Sequence, residues 1–87
     1  MILDNYIILE MKYTDDTSKY LSNVSPVLWS SFKSDAKKFC SRDDILNQLG
    51  KDINILINYK RMYITVKGFN MIYIRNNIEN EKEKFLL

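Results

Sequence analysis

Residues 5–13 read Asn-Tyr-Ile-Ile-Leu-Glu-Met-Lys-Tyr, and this stretch restricts the backbone more than any other in the chain. Ile7, Leu9, Met11 and Tyr13 fall on one side at period two, and Tyr6, Ile8, Glu10 and Lys12 on the other. An extended strand places successive side chains on opposite faces, so this pattern predicts a strand. Its β-branched and aromatic content agrees. Thr14-Asp15-Asp16-Thr17-Ser18 is turn chemistry, because Asp and Ser side chains satisfy nearby backbone groups. Lys19 to Val24 then returns as a second strand. The chain is expected to open on a β-hairpin.

Further along, Pro26 interrupts any ladder, and 25–33 reads as an irregular connector holding Trp29 and Phe32. Residues 34–39 fit either one helical turn capped by Ser34 or a loop feeding a short strand at 38–40. Ser41-Arg42-Asp43-Asp44 is a helix start: Ser41 caps, and two carboxylates favour the first turn of the helix dipole. Ile45, Leu46 and Leu49 give the helix one apolar face, and Gly50 suits its end, which predicts a helix over 42–49. Residues 51–59 carry two patterns. Ile53, Ile55, Ile57 and Tyr59 alternate as a strand would, whereas Leu49, Ile53, Leu56 and Ile57 match helical spacing. The β-branched isoleucines and the asparagines favour a strand. Strands are also expected at 62–66 and 71–75, with Lys67-Gly68-Phe69-Asn70 as the hairpin loop between them.

These elements predict an α+β fold. A small antiparallel sheet of four to five short strands, an N-terminal hairpin plus a C-terminal hairpin, packs against one main helix at about 42–49. Its dry face is expected to hold Ile7, Leu9, Met11, Ile64, Val66, Ile72 and Ile74. Residues 1–77 form the domain, and 78–87 form a charged C-terminal tail or a short helix. Exposed strand edges on so short a chain give a reason for a homodimer.

Composition removes most chemistry. The 87 residues contain no histidine, one cysteine and two glycines. The usual general base and the commonest metal ligand are therefore missing, and so is a glycine-rich phosphate loop. No catalytic residue, metal or cofactor is assigned, and the chain is read as not an enzyme. Cys40 lacks a histidine to hold its thiolate, so it reads as a small buried hydrophobe beside Phe39. Asp15-Asp16 and Asp43-Asp44 are explained by a turn and a helix start. Trp29 fits a core anchor or an exposed contact residue. Met1-Ile2-Leu3-Asp4 lacks the features of a secretory signal, and no apolar run approaches the length of a membrane span. With a free thiol, these features suggest the cytoplasm of a bacterial host cell and no membrane partner.

One region stands out. From Ile53 to Asn77 there is no carboxylate, while Lys60, Arg61, Lys67 and Arg75 interleave with Tyr59, Tyr63, Phe69 and Tyr73. Aromatic and cationic side chains together dominate protein interfaces and also hold single-stranded nucleic acid. Tyr59, Lys60, Arg61, Lys67, Phe69 and Arg75 are the expected partner-binding residues.

The order of a tyrosine-rich hairpin (Tyr6-Ile7-Ile8 to Lys19-Tyr20-Leu21-Ser22), a tryptophan, Ala36-Lys37-Lys38-Phe39 and the helix start Ser41-Arg42-Asp43-Asp44-Ile45 resembles short proteins carried by phages and prophages of low-GC Gram-positive bacteria. It covers residues 6–49, with Ile45 where alanine is frequent. The resemblance implies an origin in a mobile element. Small phage proteins of this kind, anti-CRISPR and other anti-defence inhibitors among them, act by occupying a host protein's surface. The expected function is therefore a non-enzymatic inhibitor that binds a host protein, itself a possible nucleic-acid-binding defence component. The alternative is a nucleic-acid-binding accessory or regulatory protein that uses the basic 59–75 region.

Overall fold

The computed structural model of the chain describes residues 5–86; the readings at Met1–Asp4 and at Leu87 lie outside them. The architecture is α+β, as the sequence predicts. One five-stranded antiparallel sheet packs against a helical run on one face. The strands are β1 (Asn5–Tyr13), β2 (Ser18–Val24), β3 (Val27–Ser30), β4 (Val66–Arg75) and β5 (Ile78–Lys84). Their spatial order is β3-β2-β1-β4-β5. Between β3 and β4 come α1 (Arg42–Leu49) and α2 (Ile53–Met62), joined by a 3₁₀ turn at Gly50–Asp52.

The first hairpin forms as read. Asp15 Oδ1 accepts from Thr17 N at 3.0 Å and from Thr17 Oγ1 at 2.6 Å, which closes the turn. The hydroxyl and amide of Thr17 hold the Asp15 carboxyl below its ordinary range. The start of α1 also matches. Ser41 Oγ accepts from Asp44 N at 3.1 Å, and the Asp44 carboxylate accepts from Cys40 N at 2.9 Å. Two backbone donors at the helix start are thereby satisfied by side chains. Gly50 ends α1 at a positive φ of 52°, a conformation that favours glycine.

Four local expectations are corrected. Residues 53–62 are helix, not strand, because α2 buries Leu56 completely. A strand with Ile53, Ile55 and Ile57 inward would have turned Leu56 out, so packing overrides β-propensity here. Residues 27–30 are not a connector but β3, with Leu21 opposite Trp29, because Pro26 occupies the turn rather than the ladder. The hairpin loop at 67–70 is absent. β4 runs unbroken through it, and Gly68 has no positive φ. The turn is instead Asn76-Asn77, at φ 52° and 62°, the two-residue geometry whose twist suits antiparallel strands. It returns the chain as β5, so 78–84 is a paired strand and not a tail or helix.

The helix-covered face holds the main core: Ile7, Leu9, Met11, Leu21, Phe39, Ile45, Leu49, Leu56, Val66, Phe69, Met71 and Phe85. Ile72 and Ile74, expected on this dry face, lie on the opposite one beside Ile8, and Ile64 is exposed. The reason is register. Met71 and Tyr73 of β4 stand opposite Leu9 and Ile7 and take the helix side, leaving Ile72 opposite Ile8 on the other. Past Glu10 and Tyr20 the β1–β2 ladder opens. Phe39 fills the fork, exchanging two backbone hydrogen bonds of 2.8 Å with Ile7, while Lys37 N donates to Leu21 O at 2.8 Å. Phe39 points into the core, and the next side chain turns outward. Cys40 is therefore exposed, not buried as expected.

Both sheet edges carry features that discourage further pairing. β3 has only four residues, and β5 is exposed along its length and rich in Glu and Lys. They are the edges through which the expected homodimer would have to add strands.

Candidate functional site

The open face of the sheet contains one buried carboxylate. Glu10 is 2% exposed. It accepts hydrogen bonds from Ser18 Oγ at 2.8 Å and Asn70 Nδ2 at 3.0 Å, and pairs with Lys82 Nζ at 3.2 Å. Burial pushes its pKa up, but the bonds from Asn70, Ser18 and Lys82 outweigh burial and hold it below the ordinary carboxylate range. Glu10 thus ties β1 to β2, β4 and β5 across the sheet.

Alternation sorts the charges of β5. Lys82 stands opposite Ile72 and Lys84 opposite Asn70, both on the open side; Glu81 and Glu83 stand opposite Tyr73 and Met71, on the helix side. With Lys12 of β1, Lys60 of α2 and Lys67 of β4, the two lysines line a groove of about 310 Å³ around Gly68 and Asn70. Four elements of the fold converge there. Lys82 is paired with Glu10, and Lys12 donates to the Asp16 carbonyl at 2.9 Å. Lys60, Lys67 and Lys84 have no carboxylate within salt-bridge distance among the described residues.

Beside this groove lies an apolar tip. The turn from α2 to β4 exposes three large side chains in a row, Met62 at 73%, Tyr63 at 51% and Ile64 at 93%. Tyr63 stacks at a tilt on Tyr59, with ring centroids 5.5 Å apart. Both tyrosines, with Tyr13, Trp29, Met11 and Val66, line a shallow aromatic cleft of about 240 Å³. Thr14 N donates to Thr65 O at 2.8 Å, pinning the turn to the first hairpin. Tyr13 has its pKa raised by burial and by neighbouring Tyr59 and Asp15, so its hydroxyl stays protonated well into alkaline solution.

Four of the six residues singled out from sequence belong to this pole. Lys60 and Lys67 enter the lysine groove, Tyr59 the aromatic cleft, and Arg61 is exposed on the last turn of α2. Phe69 is corrected: it is 1% exposed and packs on Trp29 with centroids 5.9 Å apart. Arg75 is corrected as well. It closes the far end of β4, nine residues from Val66, which is about 30 Å along a strand. Trp29 is mainly a core residue that also lines the cleft. Lys12, Lys82 and Lys84 went unrecognised in the sequence because each is interleaved with carboxylates. Strand alternation was the available signal for Lys82 and Lys84, and it required knowing that 78–84 is a strand.

Among the described residues, no group of three or more His, Cys, Asp or Glu side chains is placed to hold a metal. No helix among them is long and apolar enough to cross a membrane. No family model, curated protein or solved structure matches the chain.

Proposed function

We propose that the chain is a non-enzymatic binding module that occupies the surface of a host protein, in the manner of phage-carried anti-CRISPR and other anti-defence inhibitors. The observation that carries this reading is the row Met62-Tyr63-Ile64, exposed at 73%, 51% and 93% beside the uncompensated lysines. Three neighbouring large apolar side chains in water carry an unfavourable hydration cost that a partner relieves on contact. Protein interfaces place such anchors at the centre and charged groups at the rim. The rim here is cationic, supplied by Lys60, Arg61 and Lys67. The complementary partner surface therefore has an apolar pocket bordered by carboxylates, and the charges speed and orient the encounter.

The test is capture of partners from a bacterial lysate by the immobilised protein, compared with its Ile64→Glu variant. The captured partner is identified by mass spectrometry, purified, and its activity titrated with the wild-type chain. The reading predicts inhibition that saturates at one chain per partner site, and capture that Ile64→Glu abolishes. A partner captured equally by both proteins, or one whose activity does not change, contradicts it.

A further inference from the structure

A second observation, independent of the apolar tip, concerns Gly68. Glycine inside a strand weakens it by about 0.5–1 kcal/mol relative to a residue with a side chain, so a reason for it is expected. The usual reasons are a β-bulge, a positive φ, a neighbour pressed against the backbone, or a ligand that approaches it. Gly68 has no positive φ, and a Cβ placed on it would meet nothing within 4 Å. A positive φ and a pressed neighbour are therefore excluded within the fold, which leaves the bulge beside it, where the β1–β4 register shifts between Lys12 and Tyr13, and an approaching ligand. The side chain that would stand here would project from the open face, because Gly68 pairs with Lys12 and alternates with Asn70 and Ile72. It would enter the lysine groove. The missing side chain is part of what keeps the groove open.

The walls specify the ligand. All five cations of the groove are lysines, and the three arginines lie elsewhere: Arg42 donates to the Phe85 carbonyl at 3.1 Å, Arg61 is exposed on α2, and Arg75 is at the far end of β4. Arginine matches a planar carboxylate with a two-pronged fork, whereas lysine acts as a compact point charge that tolerates many orientations. Lysines that can each meet an anionic oxygen in many orientations suit a run of phosphates held without a fixed register. The groove, about 310 Å³, has room for part of one strand. Convergence of five like charges opposes folding, and Glu10 offsets only one of them. A bound polyanion would relieve the remainder.

We propose that the Gly68 groove binds the sugar-phosphate backbone of a single nucleic-acid strand, without reading its sequence. Lys12, Lys60, Lys67 and Lys84 face the phosphates, and Glu10 fixes Lys82 at the rim. The backbone passes over Gly68, where no side chain obstructs it.

The experiment measures fluorescence anisotropy of a short labelled oligothymidylate with the full chain, at rising salt. Contact with three to five phosphates predicts an affinity loss of roughly 20- to 130-fold between about 50 and 200 mM salt. Gly68→Glu should weaken binding at low salt at least tenfold, with circular dichroism confirming the fold. The double variant Lys60→Gln with Lys84→Gln should do the same. It replaces exposed residues, so it decides the matter even if Gly68→Glu does not fold. Arg75→Glu removes as much positive charge as the double variant but at the far end of β4, and should change affinity less than twofold. Three results overturn the proposal. One is no binding at about 50 mM salt. Another is an equal loss in Arg75→Glu, which would mean diffuse attraction. The third is tighter binding of an oligoglutamate of the same length, which would assign the groove to an acidic protein segment. The protein-partner reading shares Lys60 and Lys67 with this groove, but its own test is at Ile64, which none of these outcomes involves.

Discussion

The two faces of the sheet are built for different ends. The helix-covered face buries twelve apolar residues from three strands, two helices and the flanking Phe39 and Phe85 in one contiguous cluster. Among the described residues, the apolar side chains buried on the open face are Ile8, Ile72 and Ile74 at one end, under Tyr6, Tyr20 and Ala36. Towards the other end it changes to the Glu10 network and then to lysines around a glycine. Both faces come from the same three central strands, so the difference is one of side-chain parity alone. A strand with its odd positions committed to the core leaves its even positions free to carry charge. The chain keeps its stability on one side and its candidate binding chemistry on the other.

The contrast can be broken most severely on the covered face. Phe69→Ala should cost about 3–5 kcal/mol. A chain of this length commands on the order of 4–13 kcal/mol in total, so chemical denaturation should show the variant close to unfolding. If Phe69 were the exposed contact that its sequence neighbourhood suggests, the loss would be below about 0.5 kcal/mol.

On the open face, Glu10→Gln should cost about 1–3 kcal/mol, because Lys82, Ser18 and Asn70 lose a charged acceptor. The pH dependence has a defined sign. The folded pKa of Glu10 lies below its unfolded value. Its contribution is thus complete above the unfolded pKa of about 4.3 and is lost as pH falls through the folded one. Denaturation midpoints of the wild type should drop on acidification below about pH 4.3, and Glu10→Gln should remove part of that drop. Equal acid sensitivity in both proteins would assign the titration to another carboxylate.

Smaller still is the effect of Arg61→Glu combined with Lys67→Glu. Both positions are exposed, so stability should move by less than about 0.5 kcal/mol per site. Binding to the protein partner should fall at least tenfold, about 1.4 kcal/mol. Unchanged binding by the folded double variant would take the cationic rim out of the interface and move the contact to the neighbouring acidic turn at Asp15 and Asp16.

The same parity explains what was legible in the sequence. Residues 5–13 alternate without interruption, so β1, its hairpin and the inward set Ile7, Leu9 and Met11 could be read directly. The start of α1 was legible because Ser41 and Asp44 satisfy local backbone groups whatever surrounds them. Residues 53–58 satisfied two periods at once, and only the pocket that takes Leu56 decides between them. Gly68 misleads for a related reason. A glycine between two apolar runs normally marks a turn, and the two asparagines that make the real turn carry a weaker signal. Once β4 is continuous, Phe69 must point inward and Arg75 must lie a strand's length from Lys67. The charged stretch 78–84 looked unstructured because its lysines and glutamates seem mixed, until pairing with β4 separates them by face.

The measurement that bears most directly on this division of labour is Gly68→Val, scored for stability and binding on the same sample. Valine is a strong strand former, and a Cβ at this position meets nothing within 4 Å. If the glycine is kept for the groove and not for the fold, stability should rise by about 0.5–1 kcal/mol. Affinity for the oligothymidylate should fall at least fivefold, since the side chain occupies the groove floor. A variant that gains stability and binds as well as the wild type would contradict the account, as would one that loses stability.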